Sequence, residues 1–211
     1  MALSSNTIDE NVAGAVIGKL TATDEDAADT HTFKVDDTRF EVDALGNLKL
    51  KAGQSLNYEA RNSVVVNVTA TDNGSPALSK EQAFTITVND RNDAPEAQHD
   101  TAIELGEDTT SQALDVLAND TDEDGGPLTI TNAIAASGST VQIVTEGGKQ
   151  VLLYTADASS FDALGSGGSE IDTITYTVSD GQGGLTQRPF RSPSEVQRME
   201  RTSTARSAQT F

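Results

Sequence analysis

Apolar and polar residues alternate with a period of two over much of the first half of the chain. Val64, Val66, Val68 and Ala70 fall on one face and Val65, Asn67 and Thr69 on the other, so Ser63 to Thr71 is expected to be a central strand. Phe84, Ile86 and Val88 repeat the pattern across Gln82 to Asn89. Shorter alternations at Phe33-Lys34-Val35 and Phe40-Glu41-Val42, and an apolar, Thr-rich stretch from Ala15 to Thr23, read as half-buried strands. Leu45-Gly46-Asn47 supplies a hairpin turn into Leu48-Lys49-Leu50, because Gly and Asn tolerate the positive φ that such turns require. Roughly seven short strands in about 90 residues, with no long helical period, predict an antiparallel sandwich, since a single sheet cannot bury both faces.

At Asp90-Arg91-Asn92-Asp93-Ala94-Pro95 the alternation stops, because Pro95 has no N–H for a ladder and polar residues take over. A second series follows at Ala113 to Leu117, Leu128 to Asn132, Val141 to Thr145, Val151 to Thr155 and Ile171 to Ser179, separated by Gly147-Gly148 and Gly165 to Gly168. The halves echo each other. Thr23-Asp24-Glu25-Asp26 is matched by Thr121-Asp122-Glu123-Asp124, and Ala70-Thr71-Asp72-Asn73-Gly74 by Val178-Ser179-Asp180-Gly181. The expected fold class is therefore all-β: two tandem immunoglobulin-like Greek-key β-sandwiches, residues 1–95 and 96–187, with a tail at 188–211. Pro189 and Pro193 oppose a strand, so the second module is expected to lack its last strand. The tail is expected to be disordered, with at most one or two helical turns between Ser194 and Arg201.

Composition agrees with strands: 26 Thr, 15 Val and 9 Ile stand among 211 residues, and Ala-Leu-Glu-Lys runs are scarce. The absence of cysteine excludes a disulfide scaffold and thiol chemistry, and a net charge of −19 argues against a nucleic-acid partner. The charge is uneven. Residues 1–187 hold 31 acids and 9 bases, whereas 188–211 hold 5 bases and 2 acids, which sets the tail apart. No stretch approaches the ~18 apolar residues of a membrane helix, and Met1 to Glu10 has neither the basic start nor the apolar run of a secretory signal.

His31 and His99 stand alone without a sequence-enforced nucleophile or carboxylate partner, and no Gly-x-Ser-x-Gly elbow or phosphate loop occurs, so catalysis is not expected. Phe33, Phe40, Phe84, Tyr154 and Tyr176 are expected in the cores, an exposed Tyr being the alternative as a sugar-stacking surface. Three triplets beginning at Asn67, Asn73 and Asn119 fit the glycosylation pattern, which short sequences often match by chance.

Twenty of the acids are Asp, many beside Gly, Asn or Pro where turns fall. Calcium takes roughly 6 to 8 oxygen ligands in irregular geometry, a demand that carboxylates and carbonyls from several separate turns can meet. Asp9-Glu10-Asn11, Asp24 with Asp26, Asn57-Tyr58-Glu59, Asp72 and the 90–93 run are such turns. None fits the twelve-residue EF-hand loop, and no His or Cys spacing suggests zinc.

Taken in order, these clusters resemble the cadherin repeat. The carrying residues are Glu10, Asp24 with Asp26, Asn57 with Glu59, Asp72 within Ala70 to Gly74, and Asp90-Arg91-Asn92-Asp93-Ala94-Pro95; the match covers residues 5–95. Residues 97–187 resemble the looser cadherin-like repeats of large bacterial secreted adhesins. That second match rests on Glu107-Asp108, on Val116 to Gly125 and on Tyr176 to Gly184. The resemblance implies a cadherin-type first sandwich whose linker 90–95 binds calcium at the junction. It carries the ligand role onto Glu10, Asn57, Glu59, Asp90 and Asp93, with side-chain oxygen from Asn92 and backbone carbonyls from Arg91 and Ala94. From the second module it implies Asp122, Asp124 and Asp180. A weaker half-site of Asp24, Asp26 and Asp72 is implied at the end of the first module, where no module precedes it in this chain. Asn57 stands where the family has Asp, which removes a charge from the outermost ion, and no Asp-x-Glu counterpart occurs in the second module.

The function that follows is a calcium-dependent extracellular or cell-surface, membrane-associated module for adhesion, homophilic adhesion included, or for spacing. Its partners would be other cell-surface proteins or surface polysaccharide. The alternatives are a calcium-dependent polysaccharide-binding agglutinin and an accessory fragment of a larger secreted protein.

Overall fold

In a computed structural model of the protein, residues 1–24, 29–100, 103–106, 111–157, 171–187 and 199–202 are described. The chain divides between Arg91 and Asn92 into two compact units, so the cut falls inside the Asp- and Asn-rich linker motif. Both are built of strands, and among the described residues no helix is long and apolar enough to cross a membrane.

The first unit holds β1 (Ala2–Leu3), β2 (Thr7–Asp9), β3 (Val16–Thr21), β4 (His31–Val35), β5 (Phe40–Val42), β6 (Asn47–Leu50), β7 (Ser63–Asp72) and β8 (Ser79–Asn89). They form two sheets, ordered β1-β3-β6-β5 and β2-β8-β7-β4. The period-two reading places the core correctly. Val64, Val66 and Val68 are buried while Val65 between them is 59% exposed, and they meet Ile86, Val88, Phe40, Leu48 and Leu50. The Gly46 turn forms as expected, with φ of +83°, and the Asp43 carboxylate accepts the backbone N–H groups of Leu45 and Asn47 to fix it.

The first strand of this unit is shared between the sheets: β1 pairs with β3, and three residues later β2 runs parallel to β8. The crossing brings Ser5 against Gly18, where a Cβ would lie 2.6 Å from the Ser5 carbonyl oxygen, so no larger residue fits. This crossing sets Asp9 and Glu10 at the linker end of the unit, beside the last residues of β8.

The second unit holds β9 (Ile103–Gly106), β10 (Ser111–Leu114), β11 (Thr129–Ala135), β12 (Thr140–Glu146), β13 (Lys149–Thr155), β14 (Ile171–Asp172), β15 (Ile174–Ser179), β16 (Leu185–Gln187) and β17 (Met199–Thr202). Its sheets run β10-β13-β12, β11-β15-β16 and β14-β17-β9. Leu114, Val116, Ile130, Leu152, Tyr154 and Ile174 form the core. The expected strand from Ala113 ends at Leu114, because Ala118 and Asp120 donate back to the Asp115 and Leu117 carbonyls and curl the chain. The expected single strand from Ile171 to Ser179 is broken at Thr173, whose N–H is taken by the Asp172 carboxylate and whose carbonyl accepts from Ala136.

Leu185–Gln187 gives the second unit a three-residue closing strand paired with β15. Of the tail, only Met199–Thr202 is described; it is a strand, parallel to β9 and antiparallel to β14. The expected disorder of 188–211 otherwise lies outside the described residues, as do Glu107, Asp108 and the Gly165 to Gly168 run.

Candidate metal-binding loops

In the first unit, chain reversal at the linker end buries Glu10 to 1% exposure. Its Oε2 accepts the Tyr58 N–H at 2.6 Å and its Oε1 the Arg91 N–H at 2.8 Å, so one carboxylate ties the 56–61 loop to the end of the sandwich. Asn57 acts as a turn cap, its Oδ1 accepting the Ala60 N–H at 2.6 Å. Glu59, Asp90 and Arg91 are exposed. The Arg91 guanidinium pairs with Asp9 at 2.6 Å; the Asn89 amide and this guanidinium hold the Asp9 carboxyl below the usual carboxylate range. The Arg91 side chain is thus engaged by Asp9.

In the second unit, the linker end is sewn to the Thr121 loop by a reciprocal backbone pair, Glu96 N–H to Thr121 O at 2.7 Å and the return bond at 3.1 Å. This brings the Asp93 N–H to Asp124 Oδ2 at 2.6 Å, and the Asp124 N–H to Asp122 Oδ1 at 3.0 Å. Asp122 Oδ2 is buried and has no hydrogen-bond partner. An unmet carboxylate oxygen out of reach of water costs about 1–3 kcal/mol or more, which makes this atom a candidate cation ligand.

Asp180 is placed differently. Its Oδ1 accepts three backbone N–H groups, from Gln182, Gly183 and Gly184, at 2.7 to 3.1 Å. Its Oδ2 accepts the Asn92 side-chain amide at 2.7 Å, and that amide also donates to the Asp93 carbonyl at 2.9 Å. The Asn92 amide, with help from the turn N–H groups, holds the Asp180 carboxyl below its ordinary range against opposing desolvation. Gly184 passes so close that any side chain there would collide with Asp180 Oδ2.

Of the weaker set, Asp24 faces His31, with Oδ2 to Nε2 at 3.5 Å, and Asp72 Oδ1 accepts the N–H groups of Gly74 and Leu78 at 3.0 Å, shaping the β7–β8 turn. Asp26 lies outside the described residues. His31 therefore has a carboxylate neighbour that the sequence did not enforce. Among the described residues, Glu10, Glu59, Asp90, Asp93 and Asp124 each belong to a group of three acids that could hold a metal ion.

Sequence reasoning passed over one buried polar centre. Asp172, fully buried, accepts the N–H groups of Ser137 and Thr173 on Oδ1 and the hydroxyls of Ser137 and Tyr154 on Oδ2. Burial alone would raise its pKa, yet the hydrogen bonds from Ser137, Tyr154 and Ser139 outweigh it and hold the carboxyl below its usual range. Burial pushes the Tyr154 hydroxyl up to about 12. The available signal was strand parity: Asp172 shares the inward-facing even positions with Ile174, Tyr176 and Val178.

The aromatic residues behave as core. Tyr154 is buried, and the half-buried Tyr176 hydroxyl lies within hydrogen-bond reach of the Asp100 carboxylate and the Val116 carbonyl. At each glycosylation triplet the asparagine amide is already engaged, Asn67 with Asp36, Asn73 with the Thr30 N–H and Asn119 with the His99 carbonyl.

Residues 4–89 match the model of the cadherin domain, and residues 92–190 that of a bacterial Ig domain. The matched segments thus run in the order of a cadherin-type domain followed by a bacterial Ig-like domain, consistent with tandem adhesion-type repeats. No curated protein matches it. Among solved structures, it is similar to human protocadherin-24 EC1-2 in two forms. The form II structure shares 16% identity over 93% of this chain and 92% of that one, with a TM-score of 0.60. The other shares 18% over 96% and 95%, with a TM-score of 0.53. It is also similar to the protocadherin gamma B2 extracellular cadherin domains 3-6, at 20% identity and a TM-score of 0.51. There the match covers 89% of this chain but only 45% of the other. At these identities the likeness is one of fold.

Proposed function

We propose that the protein is an extracellular adhesion or spacer module whose two domains are stiffened by calcium at linker 90–95, without catalysis. The observation that carries this reading is the buried, unpartnered Asp122 Oδ2, in a loop that also aims Asp124 at the linker. Glu10, Glu59, Asp90 and Asp93 would join Asp122 and Asp124 as carboxylate ligands, with Asn57 and Asn92 adding side-chain oxygens and Arg91 and Ala94 backbone carbonyls. Asp180 would complete the set on exchanging its Asn92 amide. Asp24, Asp26 and Asp72 form the weaker set, since Asp24 faces His31 and Asp72 already accepts two N–H groups.

Calcium supplies positive charge that offsets carboxylates which otherwise repel one another by on the order of 1 kcal/mol per close pair in water, and by more where partly buried. The chain's own part is to hold those carboxylates in place. Glu10 is fixed by Tyr58 and Arg91, and the Thr121 loop by Glu96, so little side-chain entropy remains to be lost on binding. Without the ion, repulsion would leave the linker flexible; with it, the linker would stiffen and both domains would melt at higher temperature. Small-angle scattering and melting curves in calcium and in chelator test this, and superimposable data in the two conditions would end it. An extracellular or cell-surface location and cell-surface protein partners follow from the same reading.

One observation favours polysaccharide as a second kind of partner. A cleft of about 600 Å³ in the second unit is lined by Asp115, Asp120, Asp122, Lys149 and Gln150, groups that hydrogen-bond sugar hydroxyls. Binding across a glycan array, abolished by Gln150→Ala, tests it.

A further inference from the structure

Within the second unit one side chain faces the wrong way for a metal ligand. Asn92 turns its Nδ2 toward two acceptors, Asp180 Oδ2 at 2.7 Å and the Asp93 carbonyl at 2.9 Å. A primary amide carries a donor and an acceptor on opposite arms, and reversing it would set Oδ1 against those two oxygens. Such a contact is repulsive unless a cation lies between them. One residue on, the Asp93 N–H likewise donates to a carboxylate oxygen, Asp124 Oδ2, at 2.6 Å.

We propose that Asn92 is a rotating latch: in the metal-free protein its amide N–H₂ stands in for the cation, bridging Asp180 to the linker, and on calcium binding the amide turns to present Oδ1. This rests on the calcium reading above. The latch gives the acidic loops partial neutralisation without metal, and it makes ion binding compete against two hydrogen bonds. It also accounts for the met acceptors of Asp180 in the same unit where Asp122 keeps an unmet oxygen.

The test uses the full chain with Asn92→Ala and Asn92→Asp, followed by calcium calorimetry, melting in chelator and in calcium, and the side-chain amide NMR signal of Asn92. The latch requires that both variants melt several degrees lower than wild type in chelator, on the order of 4–8 °C. With saturating calcium, Asn92→Asp recovers the wild-type melting point, because it keeps an oxygen ligand, and binds calcium about tenfold more tightly for want of the competing hydrogen bonds. Asn92→Ala does not recover. The wild-type amide signal, protected in chelator, shifts on titration. If calcium binds with measurable heat but the amide signal stays put and Asn92→Ala melts as wild type in chelator, the latch is wrong while calcium binding stands. If no heat is released and melting ignores calcium, both fall together.

Discussion

Two acidic centres of the second domain carry opposite lessons. Around Asp172 every carboxylate oxygen is met from within, by two backbone N–H groups and two hydroxyls. In the Thr121 loop, Asp122 keeps one buried oxygen unmet. Burial alone does not separate these two centres; what meets their oxygens does. A satisfied carboxylate closes a network and locks chain segments together, whereas an unsatisfied one stores a cost that a cation can relieve.

The comparison breaks most visibly at Asp172. Asp172→Ala strands the Tyr154 hydroxyl and the Ser137 and Thr173 N–H groups in the interior. It should lower stability by about 3 kcal/mol, equally with and without calcium, in chemical denaturation. An effect that calcium erases would put Asp172 among the ligands instead.

Acid sharpens the same contrast. The folded-state pKa of Asp172 is depressed, so its stabilisation is fully present above the unfolded value of about 3.9 and is lost as pH falls through the folded value. In chelator, melting of the second domain should therefore drop below about pH 4, and Asp172→Asn should flatten that drop. A drop of unchanged steepness in the variant would assign it to other carboxylates.

Gly184→Ala comes next. The new methyl would displace the Asp180 carboxylate and press on the Ala94 backbone, at a cost of about 1 kcal/mol. Differential scanning calorimetry should show the loss, with a weaker calcium response because the carboxylate beside it is displaced. Asp122→Asn makes the smallest change in chelator, within about 1 kcal/mol, since the Oδ1 acceptor for Asp124 survives. Yet it should remove most of the calcium-dependent rise in melting temperature. A full rise in that variant would show the orphaned oxygen to be no ligand.

Much of the fold was legible in the chain because period-two alternation reports which face is buried before any partner is known. The parity of Val64, Val66 and Val68 was right to the residue, as was the Gly46 turn. The strand break at Thr173 was not legible, because it depends on Asp172 finding Ser137 and Tyr154, which come from distant turns and strands. The ligand candidates were legible as residue types through their order along the chain. Their states were not: Asn57 as a turn cap, Asp24 facing His31 and Asp180 held by Asn92 each depend on a neighbour remote in sequence or on a fold-specific turn.

Sequence alone determined that this is a pair of acidic β-sandwich domains joined at an Asp- and Asn-rich linker, since alternation, turn residues and charge are local properties. Tertiary structure decided which acids are structural and which keep a free oxygen. Hydrogen-bond satisfaction depends on the three-dimensional placement of donors from several strands, and no run of residues encodes it by itself.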